Sequence, residues 1–348
     1  MPAESPEHLR TSLAAAMTLD LKSGLFYRNA KSPCVNLLLT YDDGCAGRCA
    51  YCGLSLERQG AYGDKSFIRV GWPAYRLSDM MERIAERGSR VKRVCISMIT
   101  NERARGDVSE IIQELRNRLE IPISLLVTPT ILEKNDLMRY KAEGVDMAGV
   151  AVDCATPELF GTYRGSGVGG PHTWNRYWQC LEEAIDVFGE GMAGAHLIVG
   201  LGETEREMAG TMQKVHDLGG YTHLFSFFPE KDSMLAERPL PPIGQYRRMQ
   251  LARYLVDEGT CSSKDFKFDA TDRLTSFGLP DNELATVIET GRPFMTSGCA
   301  GRDGEVACNR PYANCVPGQE IRNYPFTPDD MDIKMIGEQL WRRDKRWG

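Results

Sequence analysis

The sequence predicts an α/β fold, a (β/α) barrel of TIM-like kind, full or partial, followed by a Cys-rich extension. Three observations predict it. From about residue 31 to residue 290, short β-branched or apolar runs alternate with longer segments of helical period. Seven strand–helix pairs result, which is the size of such a barrel. Beyond residue 291 the alternation stops, and Gly, Pro, Cys and Asn take over.

The expected domains are therefore an N-terminal helical extension over 1–30, the barrel over 31–290, and a C-terminal loop with a terminal helix over 291–348. The strands read as 35–41, 91–98, 123–128, 147–153, 195–200, 222–228 and 266–269. Between them, 77–87, 108–119, 132–143, 174–188, 205–218, 243–257 and 282–289 each carry an apolar stripe at helical spacing. Asp107 followed by Glu110 has the form of a capping box for the second helix, and Gly144 stands where the third should stop. Thr327-Pro328-Asp329-Asp330 opens a last helix. In barrels of this kind ligands sit at the C-terminal ends of the strands, so the chemistry belongs in the loops that follow them.

Composition narrows the function. The chain has 348 residues, 42% hydrophobic and 26% charged, enough for a sizeable globular core. A net charge of −6 offers no basic face to track phosphates, so nucleic acid is not expected as a partner. No apolar run approaches the ~18 residues needed to cross a membrane, and no signal peptide is readable at the N-terminus. Eleven cysteines, an odd number spread over the whole length, fit a reducing cytoplasm with thiols kept for metal or chemistry.

The strongest motif follows the first strand. Leu37-Leu38-Leu39-Thr40-Tyr41-Asp42-Asp43-Gly44-Cys45-Ala46-Gly47-Arg48-Cys49-Ala50-Tyr51-Cys52 sets Cys-x3-Cys-x2-Cys on one tight loop. Cys45, Cys49 and Cys52 can hold three irons of a [4Fe–4S] cubane and leave the fourth without a protein ligand. S-adenosylmethionine (SAM) can chelate that open iron through its amino and carboxylate groups. One electron then breaks a carbon–sulfur bond, and the 5′-deoxyadenosyl radical so formed abstracts hydrogen from an unactivated carbon. Zinc is the competing reading, but it wants four Cys or His ligands, and no histidine lies between His8 and His172.

These residues resemble the radical SAM superfamily, and the similarity extends along most of the barrel to its biotin synthase-related branch. Tyr51, just before the last cysteine, belongs to the motif. The stretch Val152-Asp153-Cys154-Ala155-Thr156-Pro157 resembles the strand end that reaches the ribose of SAM, which implies that role for Asp153. Arg164 is then a candidate partner for the SAM carboxylate. Ile198-Val199-Gly200-Leu201-Gly202-Glu203-Thr204 resembles the turn where the backbone passes close to SAM, implying contacts by Gly200, Gly202 and Glu203. Ser97 to Thr100 end the second strand, where the family contacts the methionine amino group, although the usual Gly-Gly-Glu is absent. Biotin synthases keep a second cluster deep in the barrel with cysteines on several strands. Here only Cys95 falls on a matching strand position, and Cys95, Cys154 and Cys180 read as small core residues.

A second cysteine group lies in the extension. Cys299, Cys308 and Cys315 fall within seventeen irregular, Gly- and Pro-punctuated residues, where core packing is a poor explanation and a metal cross-link a good one. A structural zinc site is the alternative. Cys34, ahead of the first strand, is a candidate fourth or replacement ligand, although strand rise sets it ~20 Å from the first motif. Thr296-Ser297-Gly298-Cys299, Cys308-Asn309-Arg310-Pro311 and the Gly-rich stretch 167–174 resemble the two-protein lipoyl synthases of archaea and some bacteria.

That resemblance implies a second, auxiliary [4Fe–4S] cluster that gives up sulfur, inserted at C6 or C8 of an octanoyl chain on a lysine of a lipoyl carrier protein. It also implies a second radical SAM partner enzyme for the other insertion and a reductant of the ferredoxin or flavodoxin type. Ser297 is similar to the serine that ligates the donor cluster in ordinary lipoyl synthases; a turn serine bonding the backbone is its other reading. The rivals are another biotin synthase-like reaction, a mutase or small-molecule sulfur insertion, and a non-catalytic iron–sulfur or zinc binding module.

Overall fold

The computed structural model describes residues 3–67, 70–310 and 320–342. In chain order its elements are β1 (His8–Thr11), α1 (Leu13–Thr18), β2 (Cys34–Leu38), β3 (Ala74–Arg76), α2 (Leu77–Arg87), β4 (Arg93–Ser97), α3 (Ala104–Arg118), β5 (Ile123–Val127), α4 (Lys134–Ala142) and β6 (Met147–Asp153). There follow α5 (Pro157–Tyr163), α6 (Trp174–Phe188), β7 (Ala193–Val199), α7 (Glu205–Asp217), β8 (Tyr221–Ser226), α8 (Ile243–Asp257), β9 (Lys267–Phe268), β10 (Leu274–Ser276), α9 (Asp281–Glu289) and α10 (Asp330–Leu340).

One sheet of eight strands has the order β3-β1-β2-β4-β5-β6-β7-β8, and from β2 to β8 all neighbours are parallel. The sheet does not close, so the barrel is partial. The strand expected over 266–269 does not join it: β9 pairs with β10 in a separate hairpin. Its residues explain this. Phe266 is buried while Lys267 is exposed, a one-sided alternation, whereas in a parallel strand such as β5 every residue is buried except the half-buried Leu126.

The N-terminal segment is likewise not simply helical. β1 adds antiparallel to β2, with Arg10 opposite Leu38, and to β3. Arg10 is fully buried and donates to the carbonyls of Trp72 (2.7 Å), Tyr62 (3.0 Å) and Lys65, so this strand anchors the loop behind the first cysteine motif. The capping box expected at Asp107 and Glu110 does not form either. α3 starts earlier, at Ala104, and the Asp107 carboxylate accepts from Tyr41 Oη at 2.7 Å. α4 does have a capping box, Glu133 with Asp136, and Gly144 at φ 112° follows its end as expected.

Side chains alternate across each strand. Val35 and Leu37 of β2 join the apolar core, while Asn36 and Leu38 face the concave side. The outer helices are tied to one another by a buried ion pair. Glu205 of α7 accepts from Arg248 of α8 at 2.5 and 2.9 Å and from the Leu274 N–H at 2.9 Å, with both charged side chains at most 7% exposed. Removing one partner strands the other charge in the core. Glu205→Ala is therefore expected to destabilise the protein by about 3–5 kcal/mol, read from the urea midpoint, and Glu205→Leu combined with Arg248→Met should restore much of the loss.

Candidate functional site

After β2 the chain turns at Gly44, whose φ of 69° and approach to the Tyr62 ring need a residue without Cβ. The loop 45–52 that follows is pinned by neighbouring strand and helix ends. Ala46 N–H donates to Thr100 O (2.8 Å), Ala50 N–H to Tyr163 O (2.8 Å), and Cys52 N–H to Cys49 O (3.1 Å). Backbone N–H groups also point at sulfur, from Gly47 to Cys45 Sγ (3.3 Å) and from Leu54 to Cys52 Sγ (3.4 Å). Burial pushes the thiols of Cys49 and Cys52 up, and Arg164 beside Cys49 opposes the rise there. Half-buried thiols on one loop, with N–H donors aimed at two of them, lack only positive charge to become thiolates. That fits three irons of a cubane, whose own charge would supply it.

The three cysteines line a cavity on the concave face, together with Tyr51, Ser97, Thr100, Asp153 and Arg164. Asp153 ends β6 in a left-handed conformation, φ 63°, uncommon for a residue with a Cβ. Its carboxylate accepts from Tyr51 Oη at 2.6 Å and pairs with Arg164 Nη1 at 3.0 Å. Arg164 is buried: it donates to Ala151 O, to Val152 O (3.2 Å) and to Tyr177 Oη (3.1 Å). Most of its donors are thus engaged by the cavity wall. Ser97 Oγ accepts from Arg310 Nη1 at 3.0 Å, and Thr100 Oγ1 bonds Thr128 Oγ1 at 2.9 Å.

The turn after β7 stands outside this lining, and Ile198 is the cavity residue of that strand end. The Glu203 carboxylate accepts the N–H groups of Gly200 (2.7 Å), Leu201 (2.9 Å) and Gly202 (3.0 Å), and burial pushes its pKa up to about 7. Gly200, at φ 110°, lies against the Pro241 ring, where a Cβ would stand 2.9 Å away. Gly200, Gly202 and Glu203 therefore shape the turn. His172, which sequence reading left without a role, lines the cavity with its Nδ1 bonded to Thr130 Oγ1 (2.6 Å) and Tyr177 Oη (3.1 Å). Burial and the nearby Arg164 push its pKa down to about 3, so it stays neutral.

A second thiol group lies on the same concave face, toward the N-terminal ends of the strands. Cys34 of β2, Cys95 of β4, and Cys299 and Cys308 of the extension are all buried in one cluster with Met147. Cys299 and Cys308 meet because their segment folds back on itself. Ala307 and Cys308 N–H both donate to Cys299 O (3.0 and 3.1 Å), and Ala300 pairs with Val306. Arg93 Nε donates to Ala300 O at 2.6 Å and Lys92 pairs with Asp303 at 2.5 Å, which docks this hairpin on the start of β4.

Cys95, expected as a small core residue, is buried, and it packs with this group because Cys34 and Cys95 fall on the inward side of adjacent strands. Cys154 and Cys180 are in the apolar core as expected. Cys315 lies outside the described residues. Ser297 lines the neighbouring space, but its Oγ accepts from the Leu224 N–H at 2.9 Å, the backbone-bonding alternative of its two readings.

Polar groups surround the second thiols. Asn36 Nδ2 reaches Cys34 Sγ (3.5 Å) and Cys308 Sγ (3.8 Å), while Tyr221 Oη (3.6 Å) and His223 Nε2 (3.7 Å) reach Cys299 Sγ. Burial pushes Cys95 up to about 12 and Cys299 up to about 11. The Cys34 thiol bonds to Cys308, which raises Cys34 and, with the Arg310 N–H, lowers Cys308. Four thiols thus lie buried together among polar groups. Among the described residues no three His, Cys, Asp or Glu side chains are close enough to share one metal ion. No described helix is long and apolar enough to cross a membrane.

A model of the radical SAM superfamily matches residues 40–215, from the residues just ahead of Cys45 into α7. No curated protein matches the chain. Among solved structures it is similar to HydG, a maturase of the [FeFe]-hydrogenase, at 11% identity and a TM-score of 0.52, covering 72% of this chain and 55% of that one. It is also similar to the FeFe-hydrogenase maturase HydG from Carboxydothermus hydrogenoformans (14% identity, TM-score 0.49, 71% and 56% covered). A third is the coproporphyrinogen III oxidase HemN from Escherichia coli, a radical SAM enzyme (20% identity, TM-score 0.36, 58% and 46% covered). The chain thus spans about half the length of these solved chains, and the first likeness supports the fold alone. With the family model spanning half of its residues, the chain belongs to the radical SAM superfamily, enzymes that work with a [4Fe–4S] cluster and SAM.

Proposed function

We propose that this radical SAM enzyme inserts sulfur into an unactivated C–H bond of a protein-bound octanoyl-lysine, at C6 or C8, as lipoyl synthases do. The observation that carries the reading is the second thiol group on the same concave face as the first. Leu126, His196, Phe225 and Arg310 line both the cavity beside Cys45, Cys49 and Cys52 and the smaller one beside Cys95, Cys299 and Cys308. A substrate carbon lying along this shared wall would face one thiol group on each side.

Cys45, Cys49 and Cys52 would hold the first cluster, and Cys34, Cys95, Cys299 and Cys308 the auxiliary one. When bound, the first cluster with SAM supplies a primary carbon radical, and the second supplies sulfide. The protein's own part is to orient and to exclude water. Leu38, Leu126, Ile198, Phe225 and Phe227 make an apolar wall for an aliphatic chain, which has neither an acidic proton nor a leaving group. Asn36 and Tyr221 aim donors at the second group of sulfurs, while His223, whose Nδ1 donates to Ser297 O, presents the Nε2 lone pair to Cys299. An octanoylated lipoyl carrier protein would deliver the substrate, with a second radical SAM enzyme completing the other insertion and a ferredoxin- or flavodoxin-type reductant supplying electrons.

The test is an octanoyl-lysine peptide incubated with SAM and reductant, with and without a candidate partner enzyme. The expected product has one hydrogen replaced by sulfur, at about one per chain. No thiolated peptide in either setting, despite ample 5′-deoxyadenosine and an intact second cluster, rejects this function.

One observation favours a second reading. Four thiols can ligate all four irons of a cubane, as in clusters that pass electrons or brace a loop. The chain would then act on a small molecule by another biotin synthase-like reaction. Labile sulfide measured before and after turnover separates the two: it falls when the cluster is the donor and stays constant when it is not.

A further inference from the structure

Arg310 is 3% exposed and stands where the two cavities meet, lining both. Three contacts fix its guanidinium. Nη1 donates to Ser97 Oγ at 3.0 Å, and the plane packs at 5.3 Å from the Phe67 ring and 5.6 Å from the Trp72 ring. Its Nε and Nη2 have no hydrogen-bond partner among the described residues, although both are buried. A buried cation with two idle donors is costly, and such groups in native proteins are matched by a ligand, an ion or an ordered water.

The identity of the idle atoms is informative. Nε and Nη2 lie along one edge of the guanidinium and present two parallel N–H bonds, the fork that takes a carboxylate through both oxygens. The other edge is held by Ser97, and the aromatic rings keep the plane from turning away. Arg164, the carboxylate partner suggested by sequence, differs in this respect: its donors reach Ala151 O, Val152 O, Tyr177 Oη and Asp153, and only Nε is idle. Leu126, Phe225 and His196 are common to both cavities, and of the two arginines that line them, Arg164 and Arg310, only Arg310 has both nitrogens of the fork idle, so a ligand carboxylate finds its side-on partner there.

We propose that Arg310 is a carboxylate-binding residue of the reaction chamber, gripping a ligand carboxylate side-on through Nε and Nη2. Two molecules can carry that group into the chamber, SAM with its methionyl carboxylate and a substrate with a carboxylate on an aliphatic skeleton. The proposal requires the family membership of the chain and is independent of sulfur insertion. If SAM is the source it is compatible with an octanoyl-lysine substrate; if the substrate is the source, it points to a small carboxylic acid instead.

The experiment compares the anaerobically reconstituted full chain with Arg310→Lys, which keeps the charge and loses the fork, and Arg310→Gln, which loses both. Binding of SAM and of decarboxylated SAM is measured by calorimetry. Binding of straight-chain alkanoates of four to ten carbons, and of their amides, is followed by fluorescence of the adjacent Trp72. Iron content and far-UV circular dichroism establish that each variant is folded and loaded. Both variants are expected to bind one carboxylate ligand at least about tenfold more weakly while the matching neutral analogue is unaffected. Loss confined to SAM identifies the cofactor as the source, and loss confined to the alkanoates identifies the substrate. Unchanged SAM affinity in folded, iron-loaded variants, with no alkanoate bound more tightly by the native chain, overturns the proposal whatever the peptide assay gives.

Discussion

Cys49→Ala protein, reduced with dithionite and supplied with SAM, is expected to form 5′-deoxyadenosine only at background, a loss of about a thousandfold or more. Cys49 is the middle thiol of the loop 45–52 and lies half-buried beside Arg164. Two thiols cannot hold a cubane that leaves one iron open and three ligated. The assay needs no substrate, since SAM cleavage can run uncoupled, and chromatography of the nucleoside is sufficient. Normal cleavage by the Cys49→Ala protein would remove the assignment of the loop as the cluster site. Equivalent losses are expected for Cys45→Ala and Cys52→Ala.

The second large effect concerns the thiol that sequence reading set aside. Anaerobic reconstitution of the native chain should give about eight irons, and the double variant Cys95→Ala, Cys308→Ala about four. SAM cleavage should persist, because the loop 45–52 is untouched. A buried cysteine that only fills space can be replaced at little cost and without effect on iron, and Cys180→Ala is the matched control, in the apolar core away from both groups. If the double variant keeps eight irons, the group at Cys34, Cys95, Cys299 and Cys308 is not a cluster site. Zinc recovered in place of iron from the native chain would make it a structural centre.

What could be read from the residue order differs between these two sites for a physical reason. Cys45, Cys49 and Cys52 lie within one turn of chain behind an apolar strand, so spacing alone puts their thiols on a common loop. Asn36 and Cys308, by contrast, touch across 272 residues of sequence. The extension brings two thiols by its own hairpin, but Cys34 and Cys95 are added by strand pairing, which sets Cys34 beside Arg93 and Asn36 beside Cys95. A usable signal was present: 34, 36 and 38 share one side of β2, and 93, 95 and 97 one side of β4. Which side faces the cavity is decided by the helices packed on the other. The position of Arg310, with its idle edge between two cavities, follows from Ser97, Phe67 and Trp72 meeting in space, and nothing local to the Cys-Asn-Arg-Pro segment announces it.

By itself the sequence determined the alternation of strands and helices, most helix ends, and the first thiol group, because period, caps and short spacings act between residues near in the chain. Only the tertiary structure decided that the sheet stays open, that β1 joins it, that β9 leaves it for a hairpin, and which cysteines form the second group. Those outcomes depend on pairing partners and on which face of each strand is covered, and such contacts form between segments whose separation along the chain carries no information about their distance in the fold.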